Sequence, residues 1–259
     1  MDAAIFDKDG TLFDFRATWG GWTARAIDHL ADHGADRALL ARRLGYDVAA
    51  GVFAKDSPVI ASTTPELVDI MHGFVPRMDK GQLLDSLSEL SAAAPQAPAA
   101  PLRPVFEALK ARGLKLGLAT NDTEAPARAH LAGAGVLDLF DFVAGCDSGW
   151  GGKPAPGQLL AFSGRVGVDP SRAVMVGDSL HDLHAGRAAG MKRVAVLTGI
   201  AEAAELGPHA DAVAAILRLL RLPRRPRRTP PTTPRCAPAI PPRTATTTRT
   251  TKELRHRKA

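Results

Sequence analysis

Apolar and polar positions follow two different rhythms along this chain. The stretch 3–6 is a short apolar run that ends in a polar turn, which predicts a buried strand. From residue 16 onward the spacing becomes helical. Trp19, Trp22, Ala26, Ile27 and Leu30 share one face over residues 16–33, and Ala38, Leu39 and Leu44 continue the pattern. Thr64-Pro65-Glu66 predicts a helix start, with a capping hydroxyl followed by proline in the first turn. Leu67, Ile70, Met71 and Phe74 form the apolar face that follows, and Leu83, Leu84, Leu87 and Leu90 form another. Residues 91–101, rich in Ala and Pro, predict a linker or hinge.

Beyond it the rhythm changes. Residues 114–120, 142–145, 173–177 and 194–198 are short apolar runs bounded by turn residues. Helical patterns separate them: Val105, Phe106 and Leu109, then Leu159, Leu160 and Val166, then Leu183 to Ala189. Strands alternating with helices predict a parallel sheet covered on both faces, and the strand at 3–6 must join it across the helical stretch. The expected fold class is α/β, a doubly wound parallel sheet with an inserted all-helical cap domain. The core is expected at 1–15 and 97–221 and the cap at 16–96. From 222 to 259 the chain is mostly Pro, Arg and Thr and predicts a disordered tail.

Composition sharpens this picture at one point. The formal net charge is +6, but residues 221–259 hold 12 Lys/Arg and one acid, while the preceding 220 hold 21 Lys/Arg and 26 Asp/Glu. The body is acidic and the basic character belongs to the tail, so the overall charge says nothing about what the folded part binds. The two cysteines, Cys146 and Cys236, lie far apart, no Cys/His cluster has zinc spacing, no 18-residue apolar span is present, and no leader is expected. A reduced, cytoplasmic protein without a membrane span is expected.

The candidate chemistry sits where the predicted strands end. Asp7-Lys8-Asp9-Gly10-Thr11 follows the first strand. Two carboxylates two residues apart in extended chain point the same way, and Gly10 allows a turn and a close approach to an anion. One carboxylate can attack while the other manages a proton. Thr120 and Asn121 follow the next strand, where a hydroxyl and backbone amides can hold phosphate oxygens. Lys153, in a loop stiffened by Pro154 and Pro156, can place positive charge against developing negative charge. Asp178 and Asp182 follow another strand and, beside Asp7, suit a hard cation such as Mg²⁺. Each signal also has a plainer reading: an acidic turn, turn formers, a solvated lysine, or helix capping by Asp178 or Asp182.

Taken in order, Asp7-x-Asp9-Gly10-Thr11, Thr120-Asn121, Lys153-Pro154 and Gly177-Asp178-x-x-x-Asp182 resemble the motifs of the haloacid-dehalogenase-like hydrolases, and most of all the phosphoglycolate-phosphatase-like branch with a helical cap. The resemblance covers residues 1 to about 221. It implies a Rossmann-like core and a phosphatase acting on a small phosphate monoester. It further implies Asp7 as the nucleophile that becomes an aspartyl-phosphate, and Asp9 as the group that protonates the leaving alcohol and then activates water. Thr120 and Lys153 would hold phosphoryl oxygens, with the Asn121 amide nearby. Asp7, the Asp9 carbonyl and Asp178 would ligate Mg²⁺, with Asp182 supporting the metal site. The sequence departs from the family pattern at Phe15, in the glycine-rich loop 149–152, and in the tail.

Other residues and functions stay open at this level. Trp19 and Trp22 can line a pocket or pack a core; Lys55, Ser57 and Ser62 can touch a leaving group or be solvated. His181 lies between two metal-site acids, and Cys146 is expected to pack in the interior. Asp9 favours phosphate esters over dehalogenation, because an alkoxide leaving group needs a proton. A sugar phosphomutase would use the same four motifs. A non-catalytic protein of this fold, and a tail-led nucleic-acid-associated protein, are the readings from other classes; the intact set of Asp7, Asp9, Lys153 and Asp178 weighs against the first, and the tail's lack of aromatics or a recognisable fold weighs against the second. The substrate and the oligomeric state are not encoded in any motif.

Overall fold

The computed structural model describes residues 1–60 and 62–215; the tail at 222–259 and the expected last core helix near Leu220 lie outside them. The chain opens with strand β1 (Ala3–Phe6), then runs through helix α1 (Phe15–Asp32), α2 (Arg37–Arg43), the short strands β2 (Tyr46–Asp47) and β3 (Val52–Phe53), α3 (Thr64–His72) and α4 (Lys80–Ala92). There follow α5 (Leu102–Ala111), β4 (Lys115–Ala119), α6 (Glu124–Gly133), β5 (Phe142–Ala144), α7 (Gly157–Val166) and β6 (Ala173–Gly177). The series closes with α8 (Leu180–Ala188), β7 (Lys192–Val196), the single turn α9 (Ala203–Leu206) and β8 (Ala212–Ala214).

Six strands form one sheet in the order β5-β4-β1-β6-β7-β8, with every neighbouring pair parallel. β1 is fully buried and lies between β4 and β6; Ala3 pairs with Lys115 on one side and Ala173 on the other. Strand alternation then sorts the core by parity. Ala4, Phe6, Leu116, Leu118, Val174 and Val176 face one side, against Phe106 and Leu109 of α5 and Leu131 of α6. Ala3, Ile5, Ala119 and Met175 face the other, against Leu159 and Phe162 of α7 and Ala185 of α8. Covering both faces leaves the carboxyl ends of the strands as the open edge, where ligands of such sheets bind.

The inserted helices bury an apolar cluster of their own, with Trp22, Ile27, Leu30 and Leu40 packed against Leu67, Met71, Leu83 and Leu87. The doubly wound α/β sheet with its helical cap is thus the architecture expected from the pattern, with one addition: β2 and β3 form an antiparallel pair within the cap. Two residues per strand are too few to show a period of two, so the sequence pattern carries no trace of them. The hydroxyl capping α3 is that of Thr63 rather than Thr64; it pairs reciprocally with Glu66 in a capping box. Chain entry and exit are tied together, since Asp14 N–H donates to Ala97 O (2.8 Å) and Ala99 N–H to Leu12 O (2.9 Å). Among the described residues no helix is long and apolar enough to cross a membrane.

Candidate active site

Three adjacent central strands deliver the site residues. β1 ends at Phe6 and is followed by Asp7, β4 by Thr120, and β6 by Asp178. Asp7, Thr120, Lys153, Asp178 and Asp182 are all buried. Each of Asp7, Asp178 and Asp182 offers a carboxylate oxygen within 4.8 Å of the others. Lys153 enters from the loop after β5, and its Nζ lies 2.5 Å from Asp7 Oδ1 and 2.6 Å from Asp182 Oδ1.

The surrounding structure fixes this arrangement. Asn121 and Lys153 exchange two hydrogen bonds, Lys153 N–H to Asn121 Oδ1 (2.8 Å) and Asn121 Nδ2 to Lys153 O (2.9 Å), which clamp the lysine loop to the end of β4. Gln158, fully buried, donates from Nε2 to both Thr120 O and Gly151 O, each at 3.0 Å. Ser179 caps α8 in a capping box with Asp182, whose Oδ2 accepts from Ser179 Oγ at 2.7 Å and from Ser179 N at 3.1 Å. Asp182 therefore does what the capping reading required and also grips Lys153, while Asp178 is not the cap. Asp178 Oδ1 accepts from Thr11 Oγ1 at 3.2 Å. Gly10 has φ of +83°, and a Cβ there or at Gly199 would overlap the Asp178 carboxylate, so both positions are glycine by necessity.

Crowding three buried carboxylates around one ammonium shapes their proton affinities. The Asp7 carboxyl is raised to about 7, first by burial and then by Asp182 and Asp9, against the lowering pull of Lys153. Asp178 is raised well above the carboxylate range by burial, then by Asp7 and Asp182. Burial alone would depress Lys153, but Asp182 and Asp7 together raise it. Excess negative charge on three clustered, buried carboxylates is the oxygen donor set that a hard divalent cation requires, so these residues fit Mg²⁺.

Asp9 stands slightly apart. Its Oδ2 lies 3.2 Å from Lys8 Nζ, while Oδ1 is buried with no hydrogen-bond partner among the described residues. Its carboxyl is raised, first by burial, against the lowering effect of Lys8.

A cavity of about 450 Å³ opens between these strand ends and the cap. Asp7, Asp9, Thr120, Asn121, Lys153, Asp178 and Asp182 all line it. From the cap come Trp19, Lys55 and Ser62, and from the core His181. Trp19 thus both packs and lines, whereas Trp22 is core. Ser57 is structural: it is buried and donates to Leu44 O at 2.6 Å. Cys146 is half-buried, its thiol pushed up to about 11 by burial. Ile200, Glu202 and Glu205, which line the outer cavity, carried no sequence signal, and neither did Gln158 or Gly199.

A family model described as haloacid dehalogenase-like hydrolase matches residues 1–190. A phosphoglycolate phosphatase of Rhodospirillum rubrum is 44% identical over 92 residues, which is 36% of this chain and 38% of that protein. The matched segment is thus little more than a third of that relative's length. Pyrophosphatase PpaX of Bacillus pumilus is 24% identical over 200 residues, 77% of this chain and 85% of that protein. Among solved structures, CbbY from Rhodobacter sphaeroides in complex with phosphate superposes with a TM-score of 0.63 at 20% identity, covering 85% of this chain and 96% of that one. At that identity the likeness concerns the fold. With the family model spanning most of the chain and the strand-end acids in one cluster, the protein belongs to the haloacid dehalogenase-like hydrolase family.

Proposed function

We propose that the protein is a Mg²⁺-dependent phosphatase that hydrolyses a small phosphate monoester through a covalent intermediate on Asp7, with residues 16–96 forming the cap over its site. The observation that carries this reading is the placement of the Lys153 ammonium between Asp7 and Asp182, with Asp178 in the same cluster, at the floor of the cavity beneath the cap. Phosphoryl transfer asks the protein mainly for positioning and for positive charge against the phosphoryl oxygens, and this floor offers both.

The steps follow from the chain's own groups. An Asp7 oxygen attacks phosphorus, the bond from phosphorus to the ester oxygen breaks, and the Asp9 carboxyl gives its proton to the departing oxygen. Asp9, now a carboxylate, takes a proton from water, whose oxygen attacks phosphorus; inorganic phosphate leaves and Asp7 is restored. Thr120 and Lys153 hold the phosphoryl oxygens. Asp7, Asp178 and the Asp9 carbonyl would hold Mg²⁺, with Asp182 orienting Lys153 beside them. Bound there, Mg²⁺ supplies the charge that offsets repulsion between the Asp7 carboxylate and a phosphate dianion. The raised proton affinity of Asp9 suits it to arrive protonated, and Oδ1, the oxygen not paired with Lys8, can carry that proton.

2-Phosphoglycolate is the first candidate substrate, on the strength of the matched segment of the Rhodospirillum relative. The test is phosphate release from a panel of monoesters that includes it, with Mg²⁺ and with excess chelator. Turnover of at least one ester with Mg²⁺ only is expected. No turnover of any ester, or full turnover in chelator, refutes the reading.

A further inference from the structure

The loop that carries both reactive carboxylates also carries a lysine that the mechanism above does not use. Lys8 lies between Asp7 and Asp9 in sequence, and its side chain is wholly buried. An ammonium has three protons to donate and accepts nothing. Lys8 Nζ hydrogen-bonds Asp122 Oδ2 at 2.7 Å and His130 Nδ1 at 3.0 Å, and pairs with the Asp9 carboxylate, whose Oδ2 lies 3.2 Å away. Its fourth side faces the Trp19 ring, 5.8 Å from the centroid. Because lysine can only donate, His130 Nδ1 must be unprotonated, which makes Nε2 the donor to Ser91 O at 2.8 Å. The ammonium is thus held from several directions and has no second position to swing to.

Asp122 is held equally firmly, and partly by the cap. Its Oδ2 accepts from Ser91 Oγ at 2.9 Å, and its Oδ1 accepts from Thr64 Oγ1 at 3.3 Å and from Thr123 N–H at 2.8 Å. Thr64 is the first residue of α3 and Ser91 is near the end of α4, both in the inserted helices. A continuous buried chain therefore runs from the cap through Asp122 and Lys8 to Asp9. Such a network is a poor way to gain stability, since well-packed apolar residues of similar volume usually do as well or better. It is an effective way to fix a carboxyl group. With Oδ2 tied to Lys8, Oδ1 is the oxygen left for a proton.

We propose that Lys8 is a positioning residue that holds the Asp9 carboxyl in the orientation for leaving-group protonation, and that Asp122 links this orientation to the seating of the cap. The proposal rests on the phosphatase reading and adds to it a residue that touches no reacting atom.

Leaving groups differ in how much they need Asp9, and this separates positioning from mere support. An alkoxide needs a proton as it departs, while p-nitrophenolate leaves readily without one. The experiment compares kcat/KM, which reports the steps up to departure of the leaving group and not the later attack of water on the aspartyl-phosphate, for wild type and Lys8→Met on p-nitrophenyl phosphate and on an alkyl phosphate that the enzyme turns over, with Asp9→Asn as the reference. Lys8→Met is expected to lose about 100-fold or more in kcat/KM on the alkyl ester, within the range of a lost general acid. On the aryl ester the loss should stay within about tenfold, the pattern also expected for Asp9→Asn.

Should Lys8→Met fold poorly because Asp122 is left unpaired, two further variants serve. The double variant Lys8→Met/Asp122→Leu removes both charges and should show the same selectivity. Ser91→Ala, at the cap end, should show it more weakly, with the alkyl kcat/KM alone lowered. Equal losses of kcat/KM on both esters in folded Lys8→Met or the double variant overturn the positioning role while leaving the phosphatase reading intact. A wild-type protein that hydrolyses neither ester sinks both.

Discussion

The replacement Asp7→Asn separates the chemical value of this carboxylate from its structural cost. Each tenfold in proton affinity is worth about 1.4 kcal/mol. A carboxyl that ordinarily ionises at 3.8 and here does so near 7 therefore carries a penalty of order 4 kcal/mol once charged in the metal-free protein. Its folded-state affinity is raised, so the native state binds more protons than the unfolded chain between those values. Stability should fall as pH rises through that window, with the penalty complete above 7. Asparagine keeps the shape and an oxygen for Lys153 but never ionises. At pH 8 in chelator the variant should be more stable than wild type, by about 1–3 kcal/mol after local relaxation, or several degrees in Tm. The gain should shrink as pH falls toward 4. Phosphatase turnover should drop by several orders of magnitude in the same protein. Thermal melts from pH 4 to 8 with chelator, paired with a phosphate-release assay, make the test. A variant less stable than wild type at pH 8, or a pH-independent difference, refutes the electrostatic account; turnover within tenfold of wild type refutes the nucleophile assignment.

Further outcomes follow from the same geometry. Because Asp7 and Asp178 hold protons unusually tightly, Mg²⁺ must displace them, so its affinity should increase from pH 6 to 8 and its binding should release protons, measurable by calorimetry in buffers of different ionisation enthalpy. Pure dilution heats with no Mg²⁺ dependence would reject the acidic cluster as a metal site. Gly199→Ala should force the Asp178 carboxylate aside, costing about 1–3 kcal/mol of stability and weakening Mg²⁺ activation. Gly10→Ala should cost more, since it adds about 1–2 kcal/mol of left-handed backbone strain to the same overlap. An unchanged Mg²⁺ titration in both variants would show that the crowding at Asp178 is not what sets the site.

What the sequence displays and what it conceals follow a physical division. The central strands were legible because strands buried on both faces must be apolar throughout, and residues 173–177 match β6 to the residue. Strand β8 left no such trace, since Ala212 and Val213 are exposed at the sheet edge. The strand-end acids were visible as clustered charge beside apolar runs. Lys8 was not, because its partners Asp122 and His130 lie 114 and 122 residues away and nothing local distinguishes a buried lysine from a solvated one. Asn121 illustrates the same limit: its side chain serves the backbone of Lys153, a contact that only the fold brings about.

The position of β1 has a consequence for how the protein is made. Its apolar residues 3–6 pair with residues 115–118 and 173–176, so both partners of the central strand are translated long after it. At about 5–20 residues per second, the first partner follows by roughly 6–20 s and the second by roughly 9–35 s. Through that interval Ala3-Ala4-Ile5-Phe6 has no sheet to enter, while the cap helices, whose contacts are nearer in sequence, are already complete. The sheet therefore closes late, over long loops, and the nascent chain exposes its most buried strand until residues 115–118 and 173–176 have been made. A ribosome-associated chaperone that recognises short apolar segments has its natural target there.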